Sequence, residues 1–146
     1  MRKSRRDTRT FLFDTNVFIS AIKEPKKQTA ALKLILKIAE DPRIKLVGND
    51  LLAEEMLRYT ELLKSETAVM ILSTLLAKME IVKVSENYRK ICKMYIKTPD
   101  KADILHAATC LQTGSILITN DRHFDKIADE RIIEVWNIGE ALKRLL

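Results

Sequence analysis

The chain has 146 residues and a mass of 16.8 kDa, the size of one compact domain. Hydrophobic residues make up 47% and charged residues 32%, enough for a core under a heavily charged surface, which excludes disorder as the main state. Charge interrupts the apolar runs before the ~18 residues a membrane span needs, and no secretory leader pattern follows Met1, so a cytoplasmic protein without a membrane partner is expected.

Net charge is +6, and it is unevenly placed: Arg2, Lys3, Arg5, Arg6 and Arg9 face only Asp7 within the first nine residues. Residues 1–9 therefore read as a basic arm ahead of a single domain over 10–146. Such an arm suits a polyanion, because each cation near a phosphate releases condensed counterions. Cys92 and Cys110 have no CxxC partner, so buried free thiols are expected rather than a disulfide or a zinc knuckle.

Short, nearly continuous apolar runs at 10–13, 44–48, 81–84, 115–119 and 132–136 predict strands buried on both faces. Helical periodicity occupies 17–22, 29–40, 50–64, 67–79, 86–97, 100–112 and 138–146. Asp41-Pro42 marks one helix end, Thr98-Pro99 a helix start and Gly114 another end. Strands alternating with helices imply parallel crossovers, hence an α/β protein built as a three-layer α/β/α sandwich.

The three glycines, Gly48, Gly114 and Gly139, cannot form a GxGxxG turn, a Walker A loop or a GxSxG elbow. His106 and His123 lack zinc-ligand spacing, and His106 with Cys110 reads as core packing. The remaining chemistry is acidic. Asp14 follows the first strand and Asp121 the fourth, which places both at carboxyl strand ends, where open parallel sheets bind ligands. Each also suits a helix N-cap. On the helix from Asp50, Glu55 falls at the edge of the Leu52, Met56, Tyr59, Leu63 stripe while Glu54 points away, with Arg58 as the obvious ion-pair mate for Glu55. Asp103 shares a helix face with His106 and Cys110, although Asp100-x-x-Asp103 also resembles a capping box. Carboxylates scattered in sequence but converging in space are how a hard divalent cation is usually held.

Phe11-Leu12-Phe13-Asp14-Thr15-Asn16-Val17-Phe18-Ile19, then Asp103-Ile104-Leu105-His106-Ala107-Ala108-Thr109, then Leu117-Ile118-Thr119-Asn120-Asp121-Arg122-His123-Phe124 resemble, in order and spacing, the motifs of the PIN-domain nucleases, which include the VapC-type ribonucleases. The resemblance implies a five-stranded, mainly parallel sheet in the order 3-2-1-4-5, a Mg²⁺ or Mn²⁺ site, hydrolysis of RNA and a homodimer. Position by position it implies Asp14, Glu55, Asp103 and Asp121 as the metal-holding catalytic acids, with Glu54 as the rival for the second acid and Asp125 as a supplement to Asp121. It implies supporting roles for Asn16, Thr119 and Asn120 in orienting the acids. Lys101, Arg122, Arg5 and Arg6 are the expected grips on RNA phosphates.

The implied reaction is endonucleolytic attack by a metal-activated water, which leaves 5′-phosphate and 3′-hydroxyl ends. Two roles share such a site: a toxin paired with an antitoxin, and an RNA-processing factor with its own protein partner. The alternative from another class is a catalytically quiet PIN-like module for RNA binding or assembly. A receiver or a dehalogenase-like phosphatase fits less well, since Trp136-Asn137 stands where a receiver wants Lys and Asn16 where the phosphatase wants a second Asp.

Overall fold

Phe11, Leu12 and Phe13 are consecutive and all fully buried, which requires apolar cover on both faces of their strand. In the computed structural model, which describes residues 9–97 and 100–146, that strand is β1 (Arg9–Phe13), at the centre of a five-stranded sheet. Arg5, Arg6 and the rest of the arm up to Thr8, with the Thr98-Pro99 signal, lie outside the described residues. β2 (Ile44–Gly48), β3 (Glu80–Ile81), β4 (Ile116–Ile118) and β5 (Val135–Trp136) complete the sheet in the order β3-β2-β1-β4-β5. All pairings are parallel, with Phe11 opposite Leu46 on one side and Ile116 on the other.

Eight α-helices are present among the described residues: α1 (Thr15–Lys23), α2 (Ala30–Glu40), α3 (Asp50–Leu63), α4 (Glu66–Lys78), α5 (Glu86–Lys93), α6 (Lys101–Thr113), α7 (Asp125–Asp129) and α8 (Ile138–Leu145). Crossovers between parallel strands carry them onto the faces of the sheet. α1 to α4 and α8 pack against one another, whereas α5 pairs with α6 and α6 lies on β1, β2 and β4. None of the described helices is long and apolar enough to cross a membrane.

The elements depart from the sequence expectation in four places. β3 is shorter than 81–84, because its partner β2 stops at Gly48, where Asn49 caps α3; the last pairing bond runs from Val82 N–H to the Gly48 carbonyl. β5 covers only Val135–Trp136, matching a three-residue β4. The helix expected over 86–97 ends at Lys93 and continues as tight turns through Ile96. A fourth difference is α7, whose five residues are too short to show a period.

The ends of the strands share one device. Asp14, Asn49 and Asn137 follow β1, β2 and β5, and each accepts a backbone N–H at the start of the next helix: Val17 at 3.2 Å, Leu52 at 2.9 Å and Glu140 at 2.7 Å. At the opposite side of a helix, Gly114 ends α6 with φ +67°, the left-handed geometry that glycine adopts without penalty. Cys92 and Cys110 are buried free thiols, and burial pushes Cys92 up to about 11 and Cys110 further in the same direction.

Trp136 closes the far edge of the core. Its ring lies 5.3 Å from that of Phe11, its indole N–H donates to Glu134 at 2.8 Å, and the Arg9 and Arg144 guanidiniums approach it at 5.4 and 4.8 Å.

Candidate active site

Asp14 leaves β1 with only 5% of its surface exposed. One carboxylate oxygen caps α1 through Val17, and the other accepts the hydroxyl of Thr119, just beyond β4. Burial raises the Asp14 pKa to about 6, opposed by these hydrogen bonds and reinforced by the nearby charge of Asp121. Helix capping and a place in an acidic site are thus not competing explanations for Asp14; one carboxylate does both.

The Thr119 hydroxyl also accepts the Asp121 N–H at 3.0 Å, and Asp121 in turn accepts the His123 N–H at 2.9 Å. The ring of His123 then folds back between two acids, its Nδ1 3.0 Å from Asp103 Oδ2 and 3.2 Å from Asp121 Oδ1. One oxygen of Asp103, one of Asp121 and a ring nitrogen of His123 lie within 4.8 Å of one another, close enough to share an ion. Burial raises the Asp103 pKa, the His123 bond opposes this, and the charges of Asp100 and Asp121 add to it. The hydrogen bond that His123 makes to the Asp103 carboxylate, with the charge of Asp121, raises the pKa of His123.

Glu55 approaches from α3. Its Oε1 accepts the Thr15 hydroxyl at 2.6 Å and lies 3.9 Å from His106 Nε2. Arg58 is not its mate: that guanidinium sits 5.3 Å from the Tyr59 ring. Asp14, Glu55 and Asp103 line one hollow of about 150 Å³, with Thr15, Asn16 and His106. A second hollow of about 240 Å³ is lined by Asp14, Asn16, Asn120 and Asp121. The four acids therefore meet as two adjoining hollows that share Asp14 and Asn16, and His123 links Asp103 of the first to Asp121 of the second. Glu54 is exposed and lines neither. Asp125 lines a neighbouring depression with Asp121 and Arg122. Asn120 accepts the Ile138 N–H at 2.9 Å, which ties α8 to the end of β4.

His106 does not serve the core alone. It is 2% exposed, lines the first hollow and meets Asn49 Nδ2 at 3.2 Å through Nδ1. Asn49 and Thr15 are further site residues that the sequence does not announce. The polar Asn at a strand end and the Thr directly after Asp14 are the available signals, and both read equally well as capping residues.

A larger groove of about 700 Å³ runs beside α6, with Leu51, Ile104 and Leu105 as apolar lining and Arg89, Lys90, Lys93 and Lys101 as cations. Arg89 is paired with Glu86 at 2.6 Å. Lys90, Lys93 and Lys101 have no carboxylate partner among the described residues.

Residues 11–130 match the PIN domain family. The chain belongs to the PIN domain family. Among solved structures, this PIN domain is similar to VapBC2 from Rickettsia felis bound to a DNA fragment from its promoter, at 18% identity and TM-score 0.60, covering 88% of this chain and 98% of that one. It is also similar to VapBC-1 from nontypeable Haemophilus influenzae, at 19% identity and TM-score 0.59, covering 89% and 98%. A third likeness is to FitAB bound to an IR36 DNA fragment, at 23% identity and TM-score 0.56, covering 88% and 94%. These likenesses are of fold. No curated protein sequence matches the chain. The PIN match spans Asp14, Glu54, Glu55, Asp103, Asp121 and Asp125, and stops short of β5.

The chemistry of these donors fits a hard divalent cation: carboxylate oxygens, with the imidazoles of His106 and His123 beside them. The raised pKa values of Asp14 and Asp103 record burial and like-charge crowding, a combination that a bound cation relieves.

Proposed function

We propose that the protein is a Mg²⁺- or Mn²⁺-dependent endoribonuclease of the PIN type, a phosphodiester hydrolase working as a toxin or as an RNA-processing enzyme. One observation carries this reading: Asp14 is shared by two adjoining hollows that also gather Glu55, Asp103 and Asp121 at the carboxyl ends of parallel strands.

Asp14, Glu55, Asp103 and Asp121 would hold the ion. When bound, the cation polarises the scissile phosphate and lowers the pKa of a water. The chain's own residues set the stage. Thr119 and the α1 N-terminus aim the Asp14 carboxylate, Thr15 aims that of Glu55, and His123 draws Asp103 and Asp121 together. Glu55 rather than Glu54 is the second acid, since only Glu55 lines a hollow with Asp14. Asp125 and Arg122 flank Asp121 and assist it. Asn16 lines both hollows, and Asn120 braces the end of β4.

RNA reaches the acids along the groove of Lys90, Lys93 and Lys101, beside the helix that carries Asp103. The arm 1–9, with Arg5 and Arg6, adds phosphate contacts to a nuclease domain over 10–146. The toxin role, with an antitoxin partner, is supported by the likeness to VapBC and FitAB; a homodimer and a cytoplasmic setting complete the proposal.

The test is incubation of structured and single-stranded RNA with the full chain and Mg²⁺ or Mn²⁺. Cleavage yielding 5′-phosphate and 3′-hydroxyl ends, abolished by chelation and by Asp14→Asn or Asp121→Asn with folding and RNA binding retained, is the expected result. RNA binding without cleavage under any metal supports the quiet binding module instead.

A further inference from the structure

We infer that His106 is a positioning residue for Glu55: its neutral ring presents an Nε2–H to the carboxylate and steadies it for a cation held in the same hollow. The inference rests on the nuclease reading of that hollow and concerns a residue that the sequence assigns to the core.

One amide fixes the tautomer. Asn49 Oδ1 accepts the Leu52 N–H at 2.9 Å, so its Nδ2 must face α6. There it donates to Thr109 Oγ1 at 3.0 Å and lies 3.2 Å from His106 Nδ1. Thr109 spends its own proton on the Leu105 carbonyl at 2.7 Å, so its oxygen has only lone pairs to offer Asn49. An amide NH₂ has only hydrogens to give, so His106 Nδ1 must be an acceptor. The ring proton therefore sits on Nε2.

That Nε2 is buried and has no hydrogen-bond partner among the described residues. Buried polar atoms are rarely left so. The nearest carboxylate oxygen is Glu55 Oε1 at 3.9 Å, which already receives the Thr15 hydroxyl at 2.6 Å. A shift of about 1 Å closes a full hydrogen bond. Two donors then converge on Oε1, and Oε2 remains for the ion. Because Nδ1 accepts from Asn49, the ring carries one proton and no charge, so it offers a hydrogen bond without adding a positive charge beside the cation.

The experiment titrates Mn²⁺ alone into the full chain by calorimetry, for the wild type, His106→Leu and His106→Gln, with thermal denaturation in chelator as the folding control. Nitrogen-15 NMR of the wild-type imidazoles at neutral pH reads the tautomer without any variant. The expected result is an Nε2-protonated neutral ring, at least tenfold weaker Mn²⁺ binding in His106→Leu, and substantial recovery in His106→Gln, whose amide can still donate. A Nδ1-protonated ring, or Mn²⁺ binding in a folded His106→Leu equal to wild type, overturns the positioning role and leaves the nuclease reading standing. A wild type that binds no Mn²⁺ overturns both. Should His106→Leu fail to fold, the Gln variant and the tautomer decide the matter.

Discussion

Thr119 donates its hydroxyl to Asp14 across 105 residues of sequence, and the same oxygen accepts the backbone N–H of Asp121. One side chain thereby sets the separation of two acids from different strands. Because the bond favours the charged form of Asp14, Thr119→Val raises the pKa of this carboxyl above its present value of about 6. The acidic limb of the pH–rate profile for RNA cleavage accordingly moves to higher pH, and activity at pH 7 falls by roughly tenfold. An unshifted limb contradicts the arrangement.

Asp14→Asn separates stability from activity. The folded pKa of about 6 lies above the reference value of 3.8, so the folded state binds the proton more tightly than the unfolded one. Ionising Asp14 thus lowers stability above pH 6, and the deficit fades as pH falls from 6 to 4. In chelator at pH 8, Asp14→Asn is more stable than wild type by on the order of 2 kcal/mol. The difference disappears near pH 3.8 and reverses when saturating Mn²⁺ stabilises the wild type alone. Urea denaturation at these pH values measures it.

Glu54 and Glu55 are adjacent but face different surroundings. Glu55→Gln is expected to cut cleavage by at least 100-fold with little change in melting temperature, because Thr15 can still donate to the amide oxygen. Glu54→Gln, at an exposed position, leaves cleavage within about twofold of wild type. Equal losses in the two variants count against this orientation of α3.

The parallel strands and the carboxyl-end placement of Asp14 and Asp121 are legible because buried parallel strands are written as uninterrupted apolar runs, and an acid soon after such a run has only one place to go; the sheet order is implied only by the resemblance to the PIN-domain motifs. Glu55 is legible from its angle on α3. Its partners are not, since Thr15 and His106 come from other elements and no spacing in the chain encodes their approach. His106 misleads for a physical reason: a ring on the apolar face of α6 looks like core until Asn49, more than fifty residues upstream, fixes which nitrogen faces the acids. His123 gives no signal because it touches Asp103 only after a single 3₁₀ turn, Arg122–Phe124, swings it back.

Two glycines test different physics. A Cβ on Gly48 would run into Met79 Sδ and lie 3.3 Å from Leu52 Cδ2, so Gly48→Ala overpacks the end of β2 and costs about 1–3 kcal/mol. At Gly114 nothing lies within 4 Å, and the cost of Gly114→Ala, about 1 kcal/mol, comes from its positive φ. Replacing Met79 with Ala in each background discriminates them: Gly48→Ala becomes less harmful, Gly114→Ala does not.

The groove beside α6 predicts a salt signature. Replacing Lys90, Lys93 and Lys101 with Gln weakens binding of single-stranded RNA regardless of its sequence. The slope of log affinity against log salt falls by roughly 0.7 for each phosphate that the protein ceases to neutralise. A weakened affinity with an unaltered slope places the RNA elsewhere.

Trp136 is the chain's one tryptophan, and Arg9 at the root of β1 and Arg144 near the end of α8 both approach its ring. The protein's ultraviolet emission therefore has a single dominant source, held where the first strand and the last helix come together. Followed by fluorescence, unfolding clocks the moment at which those two part company.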